Sequence, residues 1–252
     1  MITLQEIFKT AEVYWNKYKN GNTFGPDEFN YWLEVFTPTF FRGKAEEVEL
    51  KFGSLPKGLY SSKLLREFRV SEDITPTAGT IDLSADLSDA YAYFISMITT
   101  AENVGRKPKV ILVNDDKWES INSSYIGKPT VDYIICRING NNLDILPSTT
   151  GEVNFTYLTF PTQPVYDYYI DADDNVVYLA AGATGVSVPA GGTSSAGVAG
   201  PTNVNSATVE LEFSEDYHYE FMINLLSAMG VRSQDSQALG FANNEEQKLN
   251  QI

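Results

Sequence analysis

The chain has 252 residues, 43% of them hydrophobic and 20% charged, which is enough apolar material for a core and excludes a disordered polymer. With 33 acids against 18 bases the formal charge is -15, which argues against a free-standing nucleic-acid binder and against an anionic membrane surface as partner. The single cysteine, Cys136, excludes an intrachain disulfide and any multi-thiolate metal site.

In chain order, Leu4, Ile7, Phe8, Ala11, Tyr14, Trp15 and Tyr18 recur at helical spacing and predict an amphipathic first helix. The run Asn20–Gly25 stops it, and Pro26-Asp27-Glu28 opens a second helix with proline and acids in the first turn. That helix carries Phe29, Trp32, Leu33 and Phe36 and is expected to end before Pro38. Further helical character lies at Ala45–Phe52 and Lys63–Phe68.

From about Val70 the pattern turns to strands: Thr80–Leu83, Ala90–Ile98 and Pro108–Val113, then a short helix at Asp115–Ile121. More strands are expected at Tyr133–Ile138, Leu143–Leu146, Glu152–Phe160, Val165–Ile170 and Val176–Leu179. Asn139-Gly140-Asn141-Asn142 is a hairpin turn, because Asn and Gly accept positive φ. The segment Gly182–Ser206 has no charged residue and holds six of the 18 glycines. It reads either as a loop or as a β-rich arm ordered only against a neighbouring subunit, and its valines suit the docked arm. Ser214-Glu215-Asp216 caps a last helix with a stripe of Tyr217, Phe221, Leu225 and Met229, ending at Gly230, and Ser233–Ile252 is a polar, weakly helical tail.

The expected fold class is therefore α+β: an N-terminal helical hairpin, a central, mainly antiparallel β sandwich or barrel-like domain with a long Gly-rich arm, and a C-terminal helix. The corresponding boundaries are 1–70 for the helical region, 71–181 for the β domain, 182–207 for the arm and 208–252 for the last strand, helix and tail.

Candidate chemistry is sparse. The only histidine, His218, cannot join a multi-His metal site, and no Gly-x-Ser-x-Gly, Walker or dinucleotide-binding pattern occurs. Asp171-Ala172-Asp173-Asp174-Asn175 resembles the start of a calcium loop but lacks its glycine and closing Glu, so an acidic hairpin turn accounts for it with nothing missing. No catalytic residue, cofactor or metal is expected. The opening Met1–Glu6 has no basic run followed by an apolar one, so no signal peptide is expected, and no stretch approaches the roughly 18 apolar residues of a membrane helix.

Tyr18-Lys19-Asn20-Gly21 followed by Gly25-Pro26-Asp27-Glu28-Phe29-Asn30 resembles the N-terminus of structural proteins of Bacteroidetes phages, including the crAss-like group. Gly79-Thr80-Ile81-Asp82-Leu83, Asp115-Asp116-Lys117-Trp118 before Lys128-Pro129-Thr130, and Leu211–Asp216 through Ala228–Val231 are similar to that group in the same order. The resemblance implies a neck or ring protein of the virion, assembled in the host cytoplasm. It implies a dodecameric ring of copies of itself, stacked with the portal and other neck or tail proteins. Double-stranded DNA would pass through the channel without specific binding. No catalytic residue carries over. Trp15, Tyr18, Phe29 and Trp32 of the aromatic helices, with Val186, Val188 and Val198 of the arm, are the expected assembly contacts. Other readings are a tail-tube or head-decoration protein, or a carbohydrate-binding β module whose exposed Tyr and Trp stack on sugars.

Overall fold

The computed structural model describes residues 3–18, 24–52, 62–100 and 107–229. It is mixed α+β and divides into two compact units, one comprising Met1–Arg42 with Pro161–Ile252 and the other Gly43–Phe160. The chain opens with α1 (Leu4–Tyr18) and α2 (Pro26–Phe52). Thr3 and Glu6 form a capping box at α1: Thr3 Oγ1 accepts from Glu6 N at 3.3 Å, and Thr3 N donates to Glu6 Oε2 at 3.0 Å. Leu4, Ile7, Phe8, Ala11 and Trp15 are all buried, as the stripe requires. The expected stop at Asn20–Gly25 falls largely on residues 19–23, outside the described part.

The second helix does not stop at Pro38; it runs through it to Phe52. An internal proline costs about 3 kcal/mol through a lost hydrogen bond and a clash with the preceding turn. Burial on both sides of it offsets that cost. Leu33, Thr37, Phe40 and Phe41 are buried, and Phe36 and Phe40 meet Phe221 at 5.2 and 5.3 Å between ring centroids. Each buried phenylalanine contributes about 1.5–3 kcal/mol, so a few suffice.

The Gly43–Phe160 unit holds α3 (Lys63–Glu67), the strands β1 (Arg69–Ile74), β2 (Thr80–Asp82), β3 (Tyr91–Thr99), β4 (Lys109–Leu112), then α4 (Asp115–Ser123), β5 (Ile135–Asn139), β6 (Asn142–Leu146) and β7 (Val153–Thr159). The seven strands make one curled sheet, a half-barrel of order β1-β7-β3-β4-β5-β6-β2, so the barrel-like rather than the sandwich form is realised. Every pairing in it is antiparallel except β4 with β5. A parallel pair needs a crossover, and α4 supplies it. Asn139 and Asn142 pair across the β5–β6 hairpin, with Gly140 at φ +62. The concave core gathers Ile81, Met97, Val110, Cys136, Leu143, Ile145, Val153, Phe155 and Tyr157.

The remaining elements belong to the first unit: β8 (Tyr168–Ile170), β9 (Val176–Tyr178), β10 (Val186–Val188), β11 (Thr193–Ser194), β12 (Thr202–Val204) and α5 (Glu215–Ala228). They form a three-stranded sheet of order β11-β8-β9 and a β10–β12 pair. The Gly-rich segment is thus folded against its own chain. The unit boundaries also differ from those at residues 70, 181 and 207. The N-terminal helices share aromatic contacts with the chain beyond Pro161, where Phe8 lies 4.7 Å from Tyr166 and Phe40 5.3 Å from Phe213. Ser214 stands at the N-cap of α5, but its hydroxyl makes no capping bond. Gly230 and the tail Ser233–Ile252 lie outside the described residues. Among the described residues no helix is long and apolar enough to cross a membrane.

Candidate assembly surfaces

The segment Pro26–Asn30 clamps α2 onto the backbone that enters β8. Asn30 Nδ2 donates to the Tyr166 carbonyl at 2.9 Å while its Oδ1 accepts from Tyr166 N at 2.8 Å. Asp27 Oδ1 accepts from the Tyr168 hydroxyl at 2.7 Å. Burial, then this bond to Asp27, pushes the Tyr168 hydroxyl up to about 12. Phe29 is fully buried between Phe8 at 5.4 Å and Tyr166 at 5.6 Å. Trp15 is buried against Phe24 at 5.2 Å. Trp15 and Phe29 therefore spend their apolar surface inside the chain, which leaves a neighbour almost nothing to touch. Tyr18 closes α1, and its side chain lies outside the described part. Trp32 is half-buried, edge-on to the exposed Tyr31 at 6.0 Å.

The Gly-rich segment is held by a buried acid. Asp167 Oδ1 accepts from Tyr168 N at 2.9 Å and from the Ser195 hydroxyl, and Oδ2 accepts from Ala207 N at 2.8 Å. Its own N–H donates to Thr208 Oγ1 at 3.1 Å. The middle of the segment, at Ser195, and the residue just past its C-terminal end, Ala207, are thereby tied to one carboxylate immediately before β8. The glycines let backbone lie on backbone: a Cβ on Gly200 would stand 2.0 Å from the Pro189 carbonyl oxygen, and one on Gly192 would stand 2.7 Å from that of Ile170. Of the three valines, Val188 is fully buried, Val186 half-buried and Val198 45% exposed. Only Val198 offers a neighbour substantial surface.

The acidic cluster is a turn. Asp171 Oδ1 accepts from the backbone N–H groups of Asp173 and Asn175, both at 2.9 Å, and Asp174 has φ +61. The Asn175 backbone bond, then its side chain, holds the Asp171 carboxyl below its ordinary value. Among the described residues no group of three His, Cys, Asp or Glu is placed to hold a metal ion. His218 is buried, its Nε2 2.7 Å from the Phe213 carbonyl oxygen, where it ties the first turn of α5 to the preceding segment, which is irregular rather than the strand expected there. Cys136 is fully buried, and burial pushes its thiol up to about 12, so it is a small hydrophobe.

In the Gly43–Phe160 unit, α4 is fixed to the convex face of the sheet through Arg137 of β5. Its guanidinium lies 4.7 Å from the Trp118 ring centroid, and it meets Asp144 at 3.1 Å and Asp115 and Glu119 at 3.5 Å. The chain then turns out into solvent, leaving Tyr125 and Ile126 each 96% exposed. At the other end of α4, Leu112, Val113, Asn114, Asp115 and Ile138 line a shallow hollow of about 390 Å³. Neither feature was visible as a surface in the sequence. The available signal was an apolar pair, Tyr125-Ile126, set between Ser124 and Gly127 where a connection is ordinarily polar.

No known protein-family model matches this chain, and no curated protein matches it.

Proposed function

We propose that this chain is a virion structural protein that works by assembling into an oligomeric ring in the neck of a tailed phage, connecting portal to tail while DNA passes through. The observation that carries the reading is the ordered set of motifs resembling phage neck proteins, from Pro26–Asn30 to Leu211–Asp216. Their residues have work in the fold that supports treating them as a set. Asp27 and Asn30 clamp α2, Asp115 and Trp118 engage Arg137, and Phe213 packs on Phe221 at 5.6 Å. A charge of -15 suits a channel wall that duplex DNA slides past, because unneutralised phosphates are repelled rather than held. Assembly of this kind repeats a contact between two different surfaces until the cycle closes.

The test is light scattering coupled to size exclusion over a concentration series, with negative-stain images of any large species. Closed rings with a central channel support the reading; a monomer at every concentration removes it. A carbohydrate-binding module is the second reading, favoured by one observation, the fully presented Tyr125 ring. It requires saturable binding of a glycan by the isolated monomer.

A further inference from the structure

We infer that the Tyr125–Ile126 tip is a knob that seats in the hollow lined by Leu112 and Ile138 on a second copy of this chain. The inference rests on the assembly reading and specifies its contact. The tip is presented rather than loose: Ser124 N donates to the Ile121 carbonyl at 3.2 Å as α4 ends, and Gly127 N donates to Ser124 Oγ at 2.9 Å. A large apolar pair held in this way and 96% exposed loses less entropy on docking than a free loop does. The hollow matches it in chemistry, with Leu112 at 42% and Ile138 at 38% exposed on its wall.

Charge complementarity selects the occupant. The stretch from Ser120 to Val131 contains one charged residue, the exposed Lys128 beside the knob, in a chain where acids outnumber bases 33 to 18. The hollow's own charged group is Asp115, 77% exposed; it shares the single Arg137 guanidinium with Glu119 and Asp144, so with the exposed Asp116 beside it the acids remain in excess around the hollow. A cation-flanked apolar knob therefore meets an acid-flanked apolar hole. Geometry excludes the intrachain version. Knob and hole lie at opposite ends of the nine-residue α4, about 14 Å apart along its axis, and the tip cannot fold back without unwinding the helix. Because knob and hole are different surfaces carried by every copy, the contact can repeat head-to-tail into rings or filaments, and assembly beyond a pair distinguishes this from a reciprocal two-fold exchange.

The deciding experiment compares the full chain with a tip variant, Tyr125→Ser with Ile126→Ser, and a hole variant, Leu112→Arg, by light scattering across a concentration series. Both tip residues are solvated, so their loss leaves the fold intact, to be checked by thermal unfolding. The expected result is a rise of at least about tenfold in the concentration needed for assembly in each variant. Mixing the two variants should give one-to-one pairs and nothing larger, since only one intact knob and one intact hole remain per pair. If the wild type assembles and the tip variant assembles equally well, this contact is wrong and the ring reading stands. If the wild type stays monomeric throughout, both fall.

Discussion

Asp167 has three donors on its carboxylate, and these bonds join β8 to the middle of the Gly-rich segment and to the residue that follows it. Asp167→Ala leaves the Ser195 hydroxyl and two backbone N–H groups without their acceptor; the buried Tyr168 N–H costs about 1–3 kcal/mol unpaired, and the donors of the exposed Ser195 and Ala207 cost less. The expected loss is about 3 kcal/mol in urea unfolding, with faster proteolysis between residues 182 and 206. Asp167→Asn keeps the two bonds at one oxygen but turns an amide toward Ala207 N–H, so it should lose about half as much. Equal midpoints for both variants and the wild type would show that this carboxylate is not the tie. A second consequence at this scale concerns alkali. Burial raises the Cys136 thiol and the Tyr91 and Tyr168 hydroxyls, each to about 12, and raises Tyr166 and Tyr178 further. In the folded chain these groups keep protons that the unfolded chain releases from about pH 8.5 for cysteine and about pH 10 for tyrosine. The native state then binds more protons, so the stability these groups carry is full below about pH 8.5 and is lost as pH rises toward 12. Thermal midpoints should accordingly fall between pH 8 and about 10.5, and Cys136→Ala should fall less steeply over the first part of that range.

At the scale of elements, the Gly-rich segment shows where the sequence is legible and where it is not. Its lack of charge and its valines point correctly to a segment that lies against something. What it lies against is β8 of the same chain, and that depended on a contact between Asp167 and Ser195 that no local pattern announces. The strands from Thr80 to Tyr178 were readable because alternation and turn residues are local signals, and the Asn139–Asn142 hairpin was readable for the same reason. The continuation of α2 past Pro38 was not, since it is decided by tertiary burial of Phe40 and Phe41 against a local penalty. For the same reason the sequence named Trp15, Phe29 and Val188 as contacts: an apolar stripe does not say whether its partner is the same chain or another. Gly200→Ala is the sharp test of how the segment packs. Its Cβ would fall 2.0 Å from one carbonyl oxygen and 2.7 Å from another, both backbone atoms that cannot swing aside. A loss of at least about 2 kcal/mol is expected in denaturant unfolding, with protection from proteolysis lost in the 182–206 segment before the rest of the chain. A neutral Gly200→Ala would mean that the segment does not approach its own chain so closely.

For the whole molecule the governing quantity is charge. Each copy brings a formal -15, so copies assembled side by side repel over distances longer than any one contact. The proposed knob contributes one attractive pair, Lys128 with Asp115, against that background, and its remaining surface is apolar and indifferent to simple salt. Salt shortens the reach of the repulsion, from about 10 Å at 0.1 M to about 3 Å at 1 M. The two terms therefore respond in opposite directions, and the larger one sets the sign. Long-range repulsion between multiply charged copies exceeds the gain from a single exposed ion pair, which is about 0–1 kcal/mol. Assembly should accordingly tighten with salt: the concentration at which half the chain is assembled should drop several-fold between about 0.05 M and about 0.5 M sodium chloride. Light scattering over a concentration series at each salt level reads this directly. The reverse trend, dispersal by salt, would mean that the contact is built from ion pairs, and the apolar knob would lose its place as the main attachment.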